Sequence, residues 1–223
     1  MSQDLIVSET QTKKNMDDMY RWTRHIYDIT RKYYLLGRDE LIKHLNAKPN
    51  ETVCEVGCGT ARNLIKMAQR YRKADFYGLD ASEEMLKTAA GNLERAGLSQ
   101  DIILRQAYSQ SFDPKDLFNI EKPLDKIVFS YALSIIPPWQ ESLDHALALL
   151  PSGGEIHIVD FGSQHELPKF FQKFLAWWLG LFHVYYKPEI EDYLRRLEVE
   201  KQGTLEFHTL YRGYAYRAVF RKA

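Results

Sequence analysis

The hydrophobic residues between positions 52 and 159 fall into short apolar runs that alternate with longer amphipathic stretches. The short runs have the length of buried strands, and the longer stretches follow the 3.6-residue period of helices. The predicted strands are Thr52–Val56, Asp75–Leu79, Ile102–Arg105, Lys126–Ser130 and Glu155–Val159. The predicted helices are Ala61–Arg72, Glu83–Ala96 and Pro138–Leu150. This alternation predicts a parallel sheet covered on both faces, with a ligand site at the carboxyl ends of its strands.

The end of the chain follows a different pattern. Thr204–Lys222 contains two runs in which apolar and polar residues alternate, separated by a turn at Arg212–Gly213. Such a pattern predicts an antiparallel hairpin. The predicted fold class is therefore α/β, a Rossmann-like sheet of seven mostly parallel strands that ends in an antiparallel hairpin.

The opening segment, Met19–Ile42, carries two stripes at helical spacing. One side is formed by Met19, Trp22, Ile26, Ile29, Tyr33 and Leu36, and it has the character of a face that packs on a core. The other stripe is formed by Tyr20, Arg24, Tyr27, Arg31 and Tyr34. We expect an N-terminal helical lid whose second stripe meets a substrate; the alternative is a solvated basic face bordered by tyrosines.

Composition and charge narrow the class of protein. Hydrophobic residues make up 45% and charged residues 27%, which is typical of a globular domain. Thirty basic residues balance thirty acidic ones, which argues against nucleic acid as a partner. The start has no signal-peptide pattern, and the longest uncharged apolar run, Phe174–Phe182, is about half of a membrane span. With only Cys54 and Cys58, too close together for a secreted disulfide framework, we predict a cytoplasmic location.

A glycine-rich loop follows the first predicted strand. In the stretch TVCEVGCGTARNL, a buried strand leads directly to Gly57 and Gly59 and then to a helix. Small residues let the backbone approach a ligand closely, although a tight strand–helix turn alone would also explain them. Two acids favour the ligand: Glu55 precedes the first glycine by two residues, and Asp80 follows the second strand, where a carboxylate can bind both ribose hydroxyls.

The details of this loop disfavour a dinucleotide. The third position of the GxGxxG fingerprint is Arg62 instead of glycine or alanine, and Glu55 is unfavourable beside a pyrophosphate. A carboxylate there suits a ligand with a cationic amino group. The ExGxG loop, the strand-ending Asp80 and the following SEEML together resemble the class I S-adenosylmethionine-dependent methyltransferases, over about Thr52–Asp160. The resemblance implies S-adenosylmethionine as the cofactor and S-adenosylhomocysteine as its product.

The same resemblance implies roles for individual residues. Gly57 and Gly59 would contact the amino acid part of the cofactor, with Glu55 supporting the loop, and Asp80 would hold the ribose. The residues expected beside the adenine are Ala81, Met85, Gln106 and Ala107. Ser130, at the end of the fourth strand, would line the methyl-transfer site.

A broad aromatic surface occurs late in the chain, in a helix predicted over 167–186. Its apolar residues extend beyond a single stripe and are bracketed by Lys169, Lys173 and Lys187. Tryptophan and tyrosine favour the membrane–water boundary, so the segment suits peripheral contact with the inner face of the cell membrane. The alternative is a buried helix on the sheet.

The opening segment carries a second resemblance. YRWTRHIYDITRKYYLLGRDELI, Tyr20–Ile42, is similar to the N-terminal signature of the bacterial N-methyltransferases of betaine-lipid synthesis. That resemblance implies successive methylation of the amino group of diacylglyceryl-homoserine, with Tyr20, Tyr27, Arg31 and Tyr34 around the lipid head group. Tyr27 and Ser130 would orient the nitrogen, and no strong general base is expected.

Other interpretations stay open. A phosphatidylethanolamine N-methyltransferase would share the fold and cofactor, and a non-catalytic S-adenosylmethionine-binding module would use the Tyr/Arg stripe as an interface. The seven histidines lack metal-ligand spacing, so no metal is predicted. We expect one domain over 1–223: a lid (1–46), a cofactor-binding core (47–160), and the aromatic helix with the hairpin (161–223).

Overall fold

Seven strands form one sheet in the structure, a computed structural model that describes residues 35–180 and 186–223. They are β1 (Thr52–Val56), β2 (Asp75–Asp80), β3 (Ile102–Gln106), β4 (Lys126–Ser130), β5 (Glu155–Phe161), β6 (Gly203–Leu210) and β7 (Ala215–Lys222). Their order across the sheet is β3-β2-β1-β4-β5-β7-β6. The first five strands are parallel, and β7 runs antiparallel between β5 and β6. This topology confirms the predicted fold class.

The helices of the described residues cover both faces of the sheet. They are α1 (Arg38–His44), α2 (Arg62–Arg70), α3 (Glu83–Ala96), α4 (Pro114–Phe118), α5 (Trp139–Leu149), α6 (Lys169–Gly180) and α7 (Pro188–Val199). Leu41, Leu64 and Leu93 of α1, α2 and α3 belong to one buried cluster. Leu143 and Leu194 of α5 and α7 belong to the other. The central strands β1, β4 and β5 are buried along their whole length because helices pack on both of their faces.

The predicted elements and the observed ones agree closely in the sheet. β1, β4 and α3 have the predicted bounds, and β2, β3 and β5 extend one or two residues further, to Asp80, Gln106 and Phe161. The hairpin turns where expected, through Tyr211, Arg212 and Gly213, which all have positive φ. The prolines of SIIPPW directly precede α5.

Two helices were not predicted. The first, α4, begins after Asp113, whose carboxylate accepts hydrogen bonds from the amides of Lys115 and Asp116. The second, α7, begins at Pro188, a residue that suits the first turn of a helix. The aromatic segment is thus helical over Lys169–Gly180, and a separate helix starts at 188. Within the part of the chain that the structure describes, no helix is both long and apolar enough to cross a bilayer.

The predicted lid falls mainly on residues 1–34, which lie outside the described residues, and it stays a prediction. The described chain begins with Leu35 and enters α1 through Gly37. From there Leu41 and Leu45 point into the cluster shared with α2 and α3. The end of the predicted lid region therefore packs as part of the sheet's own core.

Substitutions at Gly37 and Gly91 form a matched pair that tests how tightly the chain is packed where it enters α1. Gly37 has φ +82°, and a Cβ there would lie 2.9 Å from Leu210 Cδ1 and 3.0 Å from Val159 Cγ2. Gly37→Ala should lower the free energy of unfolding by about 1–3 kcal/mol, since both the left-handed backbone and the crowding oppose a side chain. Urea denaturation measures the change.

Gly91→Ala is the control. A Cβ at Gly91, inside α3, meets nothing within 4 Å, so this change should raise stability by about 0.5–1 kcal/mol. Equal effects of the two substitutions would contradict a tight passage at Gly37.

Candidate active site

The candidate site lies where the order of the strands reverses. From β1 the chain builds outward through β2 to β3, then returns to place β4 on the other side of β1. The carboxyl ends of β1 and β4 diverge into loops at this point, and open α/β sheets bind ligands in the crevice formed there. Gly57 follows β1 and Ser130 ends β4, so both residues border this crevice.

The glycine loop is tied to the end of β2. The amides of Gly57 and Cys58 both donate to the carbonyl oxygen of Leu79, at 2.8 and 3.0 Å. Gly57 has φ +71°, and a Cβ there would lie 3.0 Å from the Cβ of Ala132. A larger residue would therefore be strained and would press on the loop after β4. The glycine thus allows the loop after β1 to lie close to the loop after β4, and it leaves backbone, not side chain, facing the crevice.

Two carboxylates flank the glycine loop, and each is held in one orientation. Glu55 is 1% exposed, and its Oε1 accepts a hydrogen bond from Asn63 Nδ2 at 2.7 Å. Asp80 accepts from the amide of Gly59 at Oδ2 (2.8 Å) and from the amide of Ser82 at Oδ1 (2.9 Å). The loop thus carries a buried acid on the β1 side and a partly buried acid on the β2 side.

A cavity of about 500 Å³ opens between the glycine loop, the start of α1 and the facing sides of α2 and α3. Its described lining consists of Leu35, Arg38, Glu55, Gly57, Cys58, Thr60, Arg62, Asn63, Thr88, Asn92, Arg95 and Ser130. The Ser130 hydroxyl is buried, and it has no hydrogen-bond partner among the described residues. Ser130 lines the cavity, so a bound ligand is one partner that its unsatisfied hydroxyl could take.

The residues predicted to surround an adenine lie together on the far side of Asp80. Ala81 follows β2, and Met85 is buried in the first turn of α3. Gln106 is exposed at the end of β3, where its Nε2 donates to the carbonyl of Ala81 at 2.8 Å. The amide of Ala107 donates to the carbonyl of Asp80 at 3.2 Å. The structure brings these four residues to one edge, and their roles in adenine binding stay predictions.

Sequence patterns did not identify three residues of this region. Asn63 orients Glu55, and Arg38 lines the cavity from the start of α1. Asp160, near the end of β5, is fully buried; burial raises its pKa to about 6, although the amides of Ser134 and Phe161 oppose this rise. By accepting from Ser134, Asp160 holds the loop that follows Ser130. The sequence signal that could have identified Asp160 as a residue of this region is its position at a strand end.

Cys58 lies in the glycine loop as a packing residue. Burial raises its pKa well above the ordinary value, and the carboxylates of Asp80 and Glu55 raise it further. The thiol therefore stays protonated and is a poor nucleophile. It fills the space beside Gly78, where an added Cβ would lie 3.1 Å from the sulfur.

The predicted substrate residues Tyr20, Tyr27, Arg31 and Tyr34 lie outside the described residues and stay predictions. The prediction that no metal is bound also stays one. Among residues 35–180 and 186–223, no group of three or more histidine, cysteine, aspartate or glutamate residues is placed to hold a metal ion.

Comparison with known families identifies the fold and the cofactor. Residues 47–192 match the family model described as a methyltransferase domain, which is more than half of the chain. The chain belongs to the methyltransferase domain family. Its sheet topology is that of the class I enzymes, and S-adenosylmethionine is the cofactor of this class.

Curated relatives of this methyltransferase act on different acceptors. A demethylmenaquinone methyltransferase from Desulfitobacterium hafniense is 26% identical over 159 residues, 69% of this chain and 59% of the relative. The chain therefore spans less than two thirds of that relative's length. A phosphatidylethanolamine N-methyltransferase from Cereibacter sphaeroides is 29% identical over 149 residues, 66% of this chain and 68% of the relative.

A solved structure shows the same fold. The crystal structure of a putative S-adenosyl-L-methionine-dependent methyltransferase from Methanococcus maripaludis superposes with a TM-score of 0.62 at 18% identity. The match covers 94% of this chain and 91% of that one.

The residues of the site fit S-adenosylmethionine. The glycine loop admits close approach of a ligand because a Cβ at Gly57 would fill the passage. The carboxylates of Glu55 and Asp80 provide acceptors for an ammonium group and for ribose hydroxyls. Glu55 and Ser130 line the cavity, and Asp80 lies on the other side of the glycine loop, outside the cavity lining. A pyrophosphate would lie beside the Glu55 carboxylate, and Arg62 occupies the third position of the dinucleotide fingerprint, so this site suits a sulfonium nucleoside better than a dinucleotide.

Asp80→Ala tests the ribose assignment. Loss of a charged acceptor for hydroxyl groups costs about 1.5–3 kcal/mol, so the affinity for S-adenosylhomocysteine should fall at least about tenfold. Titration calorimetry measures the affinity. Asp75→Ala is the matched control because Asp75 begins the same strand at the opposite edge, where its side chain pairs with Lys122. Equal affinity of the parent and Asp80→Ala would refute the assignment.

Proposed function

We propose that this methyltransferase successively methylates the amino group of diacylglyceryl-homoserine, giving the betaine lipid diacylglyceryl-trimethylhomoserine. The similarity of Tyr20–Ile42 to the N-methyltransferases of betaine-lipid synthesis supports this acceptor. The relative named phosphatidylethanolamine N-methyltransferase supports the broader class, transfer to a lipid amine. We further propose that the protein works in the cytoplasm, in peripheral contact with the inner face of the cell membrane.

The observation that carries the lipid proposal is a group of exposed apolar side chains near the carboxyl edge of the sheet. Leu36, Phe170, Trp177 and Tyr211 are between 37% and 77% exposed. The segments that bear them meet in one buried cluster, to which Leu35, Leu175 and Tyr214 contribute. Exposed aromatic and aliphatic side chains gathered beside a ligand site are typical of contact with a lipid.

Charge in the same region favours an anionic membrane. Helix α6, KFFQKFLAWWLG, contains Lys169 and Lys173 and no acidic residue. Both lysines are exposed. A helix that combines exposed aromatic residues with lysines suits the boundary of a bilayer that contains anionic lipids.

The proposed reaction needs little acid–base catalysis by the protein. S-adenosylmethionine, when bound, would supply a methyl group whose carbon–sulfur bond breaks as the nitrogen lone pair forms the new bond. The first two transfers would each release one N–H proton to water, and the third, to a tertiary amine, would give the quaternary cation without loss of a proton. The chain must therefore orient the acceptor nitrogen and exclude competing water. We assign the orientation of the nitrogen to Ser130 and Tyr27, and the carboxylate of the homoserine head group to Arg31.

Two alternatives are separable by experiment. Phosphatidylethanolamine as the acceptor would use the same fold and the same membrane surface. A non-catalytic cofactor-binding module would bind S-adenosylhomocysteine without methylating any lipid.

The first functional test compares methyl incorporation from labelled S-adenosylmethionine into three acceptors, namely diacylglyceryl-homoserine, phosphatidylethanolamine and demethylmenaquinone. The parent enzyme should prefer the first. Arg31→Ala should reduce that activity by about 10- to 100-fold, the loss of one charge-assisted contact of about 1.5–3 kcal/mol. Affinity for S-adenosylhomocysteine should stay within about twofold, a change below 0.5 kcal/mol.

Arg72→Ala provides the control for that test, because Arg72 is exposed beyond the end of α2, at the edge of the sheet away from the site. Preference for either of the other two acceptors would refute the proposed substrate. Full activity of Arg31→Ala would remove Arg31 from the head-group site.

The second functional test concerns the membrane. The double variant Phe170→Ser/Trp177→Ser should bind vesicles of phosphatidylglycerol and phosphatidylcholine at least about tenfold more weakly, because each exposed side chain loses about 1.5–3 kcal/mol of apolar burial. Cosedimentation measures binding, and circular dichroism checks the fold. Val199→Ser removes an apolar side chain that is 81% exposed at the end of α7 and should bind like the parent. A folded double variant that also binds like the parent would contradict membrane contact through α6.

A further inference from the structure

The loop that follows β4, Tyr131–Ile136, is called here the β4 loop, and its first residues border the cavity. Ser130, directly before the loop, lines the cavity. Ala132 lies so close to the glycine loop that a Cβ on Gly57 would be 3.0 Å from the Cβ of Ala132. The Tyr131 hydroxyl donates to the carbonyl of Leu36, at the start of the described chain. The position of the β4 loop therefore sets one side of the cavity.

One peptide group of the β4 loop, that between Leu133 and Ser134, is held from two sides. Its N–H, on Ser134, donates to Asp160 Oδ2 at 3.0 Å. Its carbonyl oxygen, on Leu133, accepts from Lys187 Nζ at 3.0 Å. The C=O and the N–H of a trans peptide point in opposite directions. The acid and the base therefore act on opposite sides of the same peptide group.

The signs of the two charges match the peptide dipole. A peptide group is positive at its N–H and negative at its C=O, so the N–H faces the carboxylate of Asp160 and the C=O faces the ammonium of Lys187. The reversed orientation would place the carbonyl oxygen beside the carboxylate and lose both hydrogen bonds. Asp160 is fully buried and Lys187 is half-buried, so solvent and salt screen these charges weakly. The two side chains thus favour one orientation of the peptide.

Asp160 and Lys187 come from different elements, the end of β5 and the residue directly before α7. Lys187 Nζ also donates to the carbonyl of Ile136 at 3.2 Å, so it holds both the middle and the end of the β4 loop. Burial raises the pKa of Asp160 and lowers that of Lys187, and the charge of each residue opposes the shift of the other. Each residue therefore favours the charged form of its partner across the loop.

We propose that Asp160 and Lys187 form a charge clamp on the Leu133–Ser134 peptide, and that Lys187 is a positioning residue for methyl transfer. Lys187 is not among the residues that line the cavity in the described chain, so it acts through the β4 loop. Loss of the clamp would leave the loop in its productive position for a smaller fraction of the time. The inference rests on methyl transfer at this cavity and not on the identity of the acceptor.

Lys187→Met tests the proposal because it removes the charge with little change in side-chain length. With the acceptor that the parent enzyme methylates best, kcat should fall about tenfold, the effect of losing a charge-assisted hydrogen bond. The affinity for S-adenosylhomocysteine, measured by calorimetry, should stay within about twofold, since Glu55 and Asp80 keep their places. Lys187→Arg keeps a positive donor and should recover at least about a third of the parent kcat. An unchanged kcat in Lys187→Met would refute the proposal.

Lys222→Met is the matched control. Lys222 Nζ also donates to two backbone carbonyls, those of Leu147 and Leu150, at 2.8 and 2.7 Å. It ends β7, beside the start of β5 and therefore at the edge of the sheet away from the cavity. Lys222→Met should lower stability in urea denaturation about as much as Lys187→Met but keep kcat within about twofold. An equal loss of kcat in the two variants would overturn the proposal.

A double-mutant cycle tests whether the acid and the base act on the same peptide. Asp160→Asn keeps the shape of the side chain without its charge and should also lower kcat about tenfold. Asp160→Asn/Lys187→Met should lower it about 10- to 30-fold, and not the about 100-fold expected of independent effects. Asp160→Asn/Lys222→Met should show the product of its two single effects. Independent effects of Asp160→Asn and Lys187→Met would contradict a shared clamp.

Hydrogen exchange followed by mass spectrometry examines the β4 loop without any acceptor. With S-adenosylhomocysteine bound, the loop amides should exchange at least about tenfold faster in Lys187→Met than in the parent, and at the parent rate in Lys222→Met. If Lys187→Met does not fold, Lys187→Gln is measured in the same way. Unchanged exchange would refute the clamp. Faster exchange, with a parent that methylates no acceptor, would support the clamp and refute the proposed function alone.

Discussion

The site depends on the tie between the glycine loop and the end of β2. Two successive amides, those of Gly57 and Cys58, share the carbonyl of Leu79 as acceptor, and the next glycine amide, that of Gly59, binds the Asp80 carboxylate. These hydrogen bonds satisfy the backbone N–H groups of the loop after β1, which would otherwise be free to move. They also place Asp80 beside the loop before any ligand arrives. The Asp80 carboxylate is therefore already oriented when a ligand binds. Less of the binding free energy is then spent on ordering the protein.

Three carboxylates at the same edge of the sheet have different roles; those of Glu55 and Asp160 are buried, and that of Asp80 is partly buried. Glu55 is held by Asn63 and faces the cavity, and Asp80 is held by backbone amides at the rim. Asp160 binds the amides of Ser134 and Phe161, so it serves the backbone of the loop after β4. Burial raises the pKa of Asp160 to about 6, which shows how strongly this position disfavours charge even with two amide donors. The free-energy cost of burying Asp160 is offset because its hydrogen bonds fix the loop that follows Ser130.

Much of the fold could be predicted because its strands are encoded locally. β1, β4 and β5 are buried on both faces, so most of their residues are apolar, and a glycine follows both β1 and β5. Glu55, Gly57 and Asp80 could be identified for the same reason, since each lies at a strand end. Arg38 and Asn63 could not, because their roles depend on how α1 and α2 pack over the loop. α7 was missed since the aromatic stretch before Pro188 masks the start of a second amphipathic pattern. The lid residues Tyr20 to Tyr34 lie outside the described chain, so their roles rest on sequence alone.

The residues Leu35–Asp39, the entry segment, connect the wall of the cavity with the protein surface. Its backbone is fixed by the Tyr131 hydroxyl at Leu36 and by close packing at Gly37, and its far end by the ion pairs of Asp39. Arg38 lines the cavity between these anchors, while Leu36 is 37% exposed. Leu36 is thus separated by one residue from the arginine that lines the cofactor cavity. In a transferase that takes its acceptor from a lipid surface, such a link would make cofactor affinity sensitive to the membrane. Because binding linkage is reciprocal, occupancy of the cofactor cavity would then strengthen membrane contact by the same factor.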